Sequence, residues 1–141
     1  MASLLHHGTK EYEDTLVLRY EVLRKPLGLS YDPRELAEED DSFHIATRLE
    51  GKVVACLVLK PLDERCIKMR QLAVRESSQG KGFGRELVNY AESFVRERGY
   101  AEIVLHARET ALGFYEKLGY QIEGNPFTEV GLPHLAMRKK L

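Results

Sequence analysis

Apolar and polar residues alternate along the chain in patterns that separate strands from helices. Between residues 43 and 74, three apolar stretches are divided by two short polar turns, which predicts an antiparallel three-stranded meander. The middle stretch, Val53 to Leu59, is continuously apolar, as expected of a strand that is buried on both faces. The third stretch, Cys66 to Val74, leads through a glycine-rich turn into a helix with a continuous apolar stripe.

Further elements are predicted on both sides of this meander. An N-cap at Thr9 and the helical spacing of the apolar residues after it predict a helix that ends near Arg24. Residues 25–42 are polar and indicate a solvated loop or short helix, although their acidic run could instead form a negative rim that attracts a cationic amine. The remaining elements are an edge strand at Ser3–His6, a helix that begins at Phe83 and has Gly99 as its C′ residue, a strand at Ala101–Leu105, a helix at Glu109–Leu118, and strands at Tyr120–Glu123 and His134–Arg138.

The order of these elements predicts a fold of the α+β class. The strand at Ala101–Leu105 follows a helix that itself follows a strand, so it should lie parallel to Cys66–Val74. We therefore expect a mixed, mostly antiparallel central sheet flanked by helices, with residues 1–141 forming one domain. Pro126, Gly131 and Pro133 predict an irregular stretch between the last two strands.

Composition and charge exclude several function classes. The 141 residues carry a net charge of −1, which gives no general attraction to nucleic acid or to an anionic membrane. Cys56 and Cys66 lie in apolar runs without metal-binding spacing, so we expect them to be small buried hydrophobes in a reduced compartment, with no metal site. The chain shows no secretory segment and no apolar run of about 18 residues, so a cytoplasmic location is expected.

The segment from Gln79 to Arg85 is a candidate phosphate-binding loop. Three alternate glycines stand here between a strand and the first turn of a helix, and glycine lets the backbone approach a ligand closely. The first N–H groups of a helix lack intrahelical partners and carry partial positive charge, which suits a phosphate. The glycine spacing differs from that of a P-loop and of a dinucleotide-binding fingerprint.

Two motifs resemble those of the GNAT N-acetyltransferase superfamily. The first is Q-x-x-G-x-G, which is formed by Gln79, Gly82 and Gly84 and is preceded by Leu-Ala-Val. The second covers residues 111–120, Ala-Leu-Gly-Phe-Tyr-Glu-Lys-Leu-Gly-Tyr, and resembles A-x-x-F-Y-x-K-x-G-F/Y. The ending Gly-Leu-Pro-His at 131–134, together with Arg19 and His44, is similar to the small ElaA-like branch.

The resemblance implies the GNAT acyl-CoA N-acyltransferase fold with acetyl-CoA, or coenzyme A, as the cofactor. Tyr115 would be the general acid that protonates the departing thiolate, because the ordinary pKa of a phenol, about 10, lies near that of a thiol. A backbone N–H at Val74 would stabilise the oxyanion. The implied cofactor-binding residues are Leu72, Ala73, Val74, Gln79, Gly80, Lys81, Gly82, Phe83, Gly84 and Arg85.

The general base is left open by the sequence. Many members of the superfamily carry a glutamate on the fourth strand, but this strand contains no carboxylate between Lys68 and Gln71. His106 and His134 are candidate catalytic residues, and the other two candidates are His44 and Glu129. Arg19, His44 and Glu129 are the candidate acceptor-binding residues.

These features predict an acetyl-CoA-dependent N-acetyltransferase. It would move an acetyl group directly, in a ternary complex, to a primary amine of a small molecule or to an exposed amino group. The alternative is an acyl-CoA-binding sensor with the same fold and little or no turnover, which the missing strand carboxylate would allow. No nucleic acid or membrane is expected as a partner, and the C-terminal strands permit a homodimer.

Overall fold

The computed structural model describes residues 2–141 and consists of one seven-stranded sheet with helices packed on it. The strands are β1 (Ala2–Leu5), β2 (Phe43–Leu49), β3 (Lys52–Pro61), β4 (Cys66–Val74), β5 (Glu102–Arg108), β6 (Gln121–Glu129) and β7 (Leu132–Lys140). The α-helices are α1 (Lys10–Arg19), α2 (Pro33–Ala37), α3 (Phe83–Glu97) and α4 (Leu112–Lys117). A π-helical turn, Tyr20–Arg24, continues α1, and a 3₁₀ turn at Glu38–Asp41 follows α2.

The strand order is β1-β2-β3-β4-β5-β7-β6. All neighbouring pairs are antiparallel except β4 and β5. These two are parallel because α3 carries the chain back to the end of the sheet at which β4 begins. The predicted α+β class and the mixed, mostly antiparallel sheet are therefore confirmed.

The two parallel strands separate from each other part of the way along their length. Their pairing begins at Cys66 with Glu102 and ends at Met69 with Leu105, whereas β4 continues to Val74 and β5 to Arg108. The register of β4 against β3 shifts in the same region, and Gln71 there has a φ of 56°. A bulge of this kind bends its strand and interrupts the ladder, so a gap opens between β4 and β5.

Two apolar cores hold the sheet between its helices. The larger core joins one face of the sheet to α3 through Leu87, Val88, Ala91 and Val95, which are fully buried, as the apolar stripe predicts. A smaller core packs Leu18 of α1 on the opposite face. Because β3 is covered on both sides, all residues from Val53 to Leu59 are buried.

The end of the chain differs most from the sequence-based expectation. An irregular stretch was predicted between short strands at Tyr120–Glu123 and His134–Arg138, and this prediction is wrong: β6 and β7 form one long hairpin. Pro126 lies inside β6, where the register shifts between Glu123 and Phe127. Because β6 is the outermost strand, it tolerates a proline that a central strand would exclude.

The other boundaries agree more closely. Thr9 caps α1 by accepting a hydrogen bond from the Tyr12 N–H at 3.3 Å, as predicted. β5 extends three residues beyond the expected Leu105, which places His106 and Arg108 in a strand. Among residues 2–141, none of the helices has both the length and the apolar composition needed to span a membrane.

Candidate active site

The gap between β4 and β5 forms a cleft of about 260 Å³. Residues Met69–Leu72 of β4 and Leu105–Arg108 of β5 form its two walls. Tyr115 of α4 lines it as well, together with the π-helical turn after α1 and the tip of the β6–β7 hairpin. The cleft is therefore lined by elements that pack on both faces of the sheet.

The phosphate loop, residues 79–85, leads from β4 into α3 with its amides unused. Among the described residues, none of the backbone N–H groups from Gly80 to Arg85 donates a hydrogen bond, and the first helical amide with a partner is that of Glu86, bonded to Gly82 O at 3.0 Å. Gly80 and Gly82 have φ angles of 76° and 86°, which only glycine adopts without strain. Six consecutive free donors at a helix N-terminus make a site for a polyanion such as a diphosphate.

Contacts within the protein fix the position of this loop. The side-chain amide of Gln79 donates to the Val74 carbonyl at 3.0 Å, which ties the loop to the end of β4. A Cβ on Gly84 would lie 3.3 Å from the Phe114 ring, so glycine is needed for α3 to approach α4. Lys81 and Arg85 are exposed beside the free amides and could neutralise further phosphate charge.

The apolar residues among the predicted cofactor-binding positions are distributed unevenly. Leu72 lines the cleft, whereas Val74 lies beyond the cavity lining and packs against the larger core. Ala73 is buried in the smaller core on the opposite face, and Phe83 packs against the larger one. Val74, whose N–H is the predicted oxyanion donor, is therefore not among the residues that line the cleft, and Leu72 is the member of this group that is.

Tyr115 lies on the α4 side of the cleft. Its ring packs edge-on against Phe114 and Tyr120, and the side chain is 8% exposed. Burial raises the pKa of the Tyr115 phenol above its usual value, so the hydroxyl stays protonated at neutral pH. Within residues 2–141 that hydroxyl has no hydrogen-bond partner, which leaves its proton available to a bound molecule.

Glu129 brings the two candidate histidines together. His106 Nδ1 lies 3.0 Å from Glu129 Oε1, and His134 Nε2 lies 3.7 Å from Glu129 Oε2. The Phe127 ring packs against both imidazoles, with its centroid 4.9 Å from that of His106 and 6.0 Å from that of His134. We call His106, Glu129 and His134 the histidine–glutamate cluster.

The two histidines of this cluster differ in their surroundings. His134 is 4% exposed, and its Nδ1–H donates to the Leu132 carbonyl at 2.9 Å, which leaves Nε2 as the nitrogen with a free lone pair. His106 is about one third exposed and uses Nδ1 towards Glu129. Burial alone would raise the pKa of Glu129, but the hydrogen bond from His106 and the nearby positive charges outweigh it and lower the pKa.

Arg19 and His44 lie elsewhere, so the structure does not support the prediction that they bind the acceptor. Arg19 is 1% exposed and donates two hydrogen bonds to the Glu39 carboxylate, at 2.8 and 2.7 Å. His44 is 2% exposed and bonds to the Glu39 backbone carbonyl at 2.8 Å. Glu39 belongs to the acidic run, whose residues lie outside the cleft lining; the negative rim suggested for that run is therefore not found at the cleft.

Sequence reasoning missed three arginines that line the cleft, Arg24, Arg70 and Arg108. A signal for two of them was present in the sequence. The pairing of β4 with β5 ends at Met69 and Leu105; Arg70 is the next residue of β4, and Arg108 lies three residues further along β5. The carboxyl ends of parallel strands are a common place for ligand-binding side chains.

Comparison with known proteins agrees with the motifs and the fold. Residues 9–120 match the Acetyltransferase (GNAT) family. YyaT of Bacillus subtilis is 35% identical over 74 residues, which cover 52% of this chain and 50% of YyaT, so the match spans half the length of that relative. YitI of the same organism, described as an uncharacterized N-acetyltransferase, is 26% identical over 145 aligned positions that cover 98% of this chain and 97% of YitI.

Solved structures show the same architecture. Escherichia coli ElaA superposes with a TM-score of 0.84 at 21% identity, over 99% of this chain and 98% of that one, and so has the same fold. The family match covers most of the chain, and its two motifs lie at the free amides of the phosphate loop and at Tyr115. The chain therefore belongs to the GNAT acetyltransferase family, whose members take acetyl-CoA as their acyl donor.

Proposed function

We propose that this protein is an acetyl-CoA-dependent N-acetyltransferase that acetylates a primary amine by direct transfer in a ternary complex. The observation that carries the proposal is that β4 contributes one wall of a cleft lined by a protonated phenol, a carboxylate and two imidazoles, and leads at its end into the free amides of Gly80 to Arg85. The free amides and the two cations beside them fit the diphosphate of the coenzyme.

Each side of the cleft has a separate task in this mechanism. Acetyl-CoA, when bound, supplies an acetyl thioester, so the new N–C bond forms at its carbonyl carbon as the C–S bond breaks. The histidine–glutamate cluster receives the amine: Glu129 accepts a hydrogen bond from it, and His134 Nε2 takes the proton that the nitrogen must lose. Tyr115 donates its phenolic proton to the leaving sulfur, and that proton is later replaced from solvent.

His106 supports the cluster in this scheme without receiving the proton itself. Its Nδ1–H donates to Glu129, which keeps one carboxylate oxygen occupied and directs the other towards His134. A carboxylate with a lowered pKa remains charged at neutral pH and attracts the ammonium form of an acceptor. The cluster thus supplies a base although β4 has no carboxylate in the walls of the cleft, which favours turnover over the sensor alternative.

The test combines a binding measurement with a turnover measurement on the same variant. We expect coenzyme A to raise the melting temperature of the wild-type protein and of Tyr115→Phe alike, because the substitution leaves the phosphate loop unchanged. Thiol release from acetyl-CoA in the presence of a mixed amine panel should fall about 10²–10⁴-fold in Tyr115→Phe, the usual contribution of a general acid.

Three outcomes distinguish the alternatives. Undiminished turnover in Tyr115→Phe would remove this phenol from the acid role. Stabilisation by coenzyme A without turnover on any amine would favour the sensor. The absence of stabilisation would contradict the phosphate loop itself.

A further inference from the structure

Three guanidinium groups line the cleft without an opposing carboxylate. Three arginines elsewhere in the described residues, Arg19, Arg48 and Arg138, do form ion pairs with acidic side chains. Arg24, Arg70 and Arg108 have no carboxylate oxygen within 4.0 Å among residues 2–141. Half-buried cations without counter-charges in a cavity are the usual environment of a bound anion.

Two of these arginines are held in place by neutral groups. Arg108 donates one hydrogen bond to the Leu23 carbonyl at 3.1 Å, and the Arg24 guanidinium lies 4.4 Å from the centre of the Tyr31 ring. A guanidinium has five N–H donors, so most of them are left for a ligand. Tyr31 is fixed in turn by a 2.7 Å hydrogen bond from its hydroxyl to Gln71 Oε1, on the wall of the cleft.

The cleft as a whole is positive. Glu129 is the one carboxylate side chain that lines it in the described part of the chain, and that carboxylate is already bonded to His106. Burial, and then the charge of Arg70, lower the pKa of the neighbouring Lys68, as expected for an ammonium close to another cation. A purely cationic acceptor such as a polyamine would meet like charge over most of this surface.

We propose that the acceptor carries an anionic group, a carboxylate or a phosphate, a few bonds from the amine that is acetylated. Arg70 and Arg108 bind the anionic group, and the histidine–glutamate cluster receives the amine. This names the substrate class of the proposed acetyltransferase site and so rests on the proposed function.

The sheet register sets the separation of the two groups. Arg108 and His134 are directly opposite each other on β5 and β7, and His106 is two residues before Arg108 on the same face of β5. Opposite residues of neighbouring strands have Cβ atoms about 5 Å apart, so the anion and amine positions are adjacent. A compact molecule such as an amino acid or an amine with a phosphate two carbons away meets this spacing better than a long chain does.

The experiment uses pairs of acceptors in which one member carries an anionic group and the other is its neutral counterpart. Suitable pairs are amino acids with their amides, and ethanolamine phosphate with ethanolamine, which also separate carboxylate from phosphate; spermidine serves as the cationic comparison. We expect the anionic member of at least one pair to have a kcat/KM about tenfold or more above its neutral member. Arg70→Gln should remove most of that preference by raising the acceptor KM, with the KM for acetyl-CoA unchanged.

Arg65→Gln is the matched control, because Arg65 is exposed at the opposite end of β4 and lies outside the cleft. It should keep the preference of the wild-type protein. A higher kcat/KM for neutral amines or spermidine would overturn the proposal, as would an Arg70→Gln effect confined to the KM for acetyl-CoA.

A binding measurement separates this proposal from the proposed function. With coenzyme A present, N-acetylglycine or N-acetyl ethanolamine phosphate should raise the melting temperature more than N-acetylglycinamide does, and Arg70→Gln should abolish the difference. That result would support the anion site even if no amine were turned over, whereas equal shifts from the charged and neutral compounds would contradict it.

Discussion

His134 differs from His106 in how its two ring nitrogens are used. Its Nδ1–H is committed to the Leu132 carbonyl, so the neutral ring must present a lone pair at Nε2 towards Glu129. Burial holds the ring in this orientation. This is the arrangement that a proton acceptor requires, because the basic nitrogen is fixed before the amine arrives.

An asparagine at this position gives a direct test of that role. In His134→Asn, the side-chain NH₂ can still donate to the Leu132 carbonyl, but nothing replaces Nε2. We expect kcat to fall about 10²–10⁴-fold while the stabilisation by coenzyme A is retained. His106→Asn is the control, and we expect it to lower kcat less than tenfold because His106 acts through Glu129; a larger loss in His106→Asn than in His134→Asn would exchange the two roles.

The phosphate loop and α3 together present the free amides to a ligand. The loop presents its amides because the N-cap residue of α3, Gly82, has no side chain to bond them and because Gly80 and Gly82 turn the backbone through positive φ angles. Nothing lies within 4 Å of a Cβ at Gly82, so the space in front of the amides is open to a ligand. The α3 dipole adds partial positive charge at the same point.

Gly82→Asp should abolish the rise in melting temperature caused by coenzyme A, because it places negative charge where the phosphate binds. Gly99→Asp is a matched control at the other end of α3, since Gly99 has a similar φ of 90° and equally open surroundings. Both variants should lose about 1–2 kcal/mol of stability from backbone strain, yet only Gly99→Asp should still respond to coenzyme A. Gly82→Asn adds similar bulk without charge and so separates the two effects. If coenzyme A still raised the melting temperature of Gly82→Asp in full, the phosphate would bind elsewhere.

The elements that the sequence could predict are those with local signals. The stripe on α3, the continuous apolar run of β3 and the cap at Thr9 each depend on residues close to one another in the chain, and each is confirmed. The long β6–β7 hairpin was missed because Pro126 is normally a strand breaker, and its tolerance depends on β6 being the outermost strand. That position is a property of the whole sheet and is invisible in the local sequence.

At the candidate site, too, local motifs could be predicted from the sequence, whereas contacts between distant segments could not. Tyr115 and the phosphate loop could be predicted because each lies within a short motif. The histidine–glutamate cluster could be proposed only as separate residues, because β5, β6 and β7 must become neighbours before His106, Glu129 and His134 meet. Arg19 was assigned to the acceptor from the resemblance to the ElaA-like branch, and its buried partner could not be foreseen because Glu39 lies 20 residues away in an acidic run that was interpreted as solvated.

At the scale of the whole molecule, the buried Arg19–Glu39 pair joins α1 to the 3₁₀ turn after α2. The Tyr12 hydroxyl also donates to Glu39, at 2.8 Å, and Arg19 packs against the Tyr31 ring at 4.9 Å. Tyr31 in turn bonds to Gln71 on the cleft wall. Through Tyr31, the pair therefore supports the cleft wall at Gln71, although neither Arg19 nor Glu39 lines the cleft itself.

This cluster makes stability sensitive to acid. Burial lowers the pKa of His44 despite its bond to the Glu39 carbonyl, so the folded state loses stability as the pH falls below about 6.5, the ordinary histidine value. Burial alone would raise the pKa of Glu39, but the hydrogen bonds and charge of Arg19 lower it overall, so a further loss follows as the pH falls below about 4.3. Both groups stabilise the folded state fully at neutral pH, and both stabilising contributions are lost as the pH falls.

We therefore expect the free energy of unfolding, measured by urea denaturation, to decrease in two steps between pH 7 and pH 3. His44→Gln keeps a donor for the Glu39 carbonyl and should flatten the upper step, between pH 7 and pH 5.

Glu39→Gln leaves the buried Arg19 charge uncompensated and should cost about 3–5 kcal/mol of unfolding free energy at pH 7, with little further loss below pH 4.3. Glu11→Gln removes a half-exposed partner of Arg48, 3.6 Å away, and should cost less than about 1 kcal/mol; equal costs for the two glutamates would show that the buried pair does not hold the two segments together.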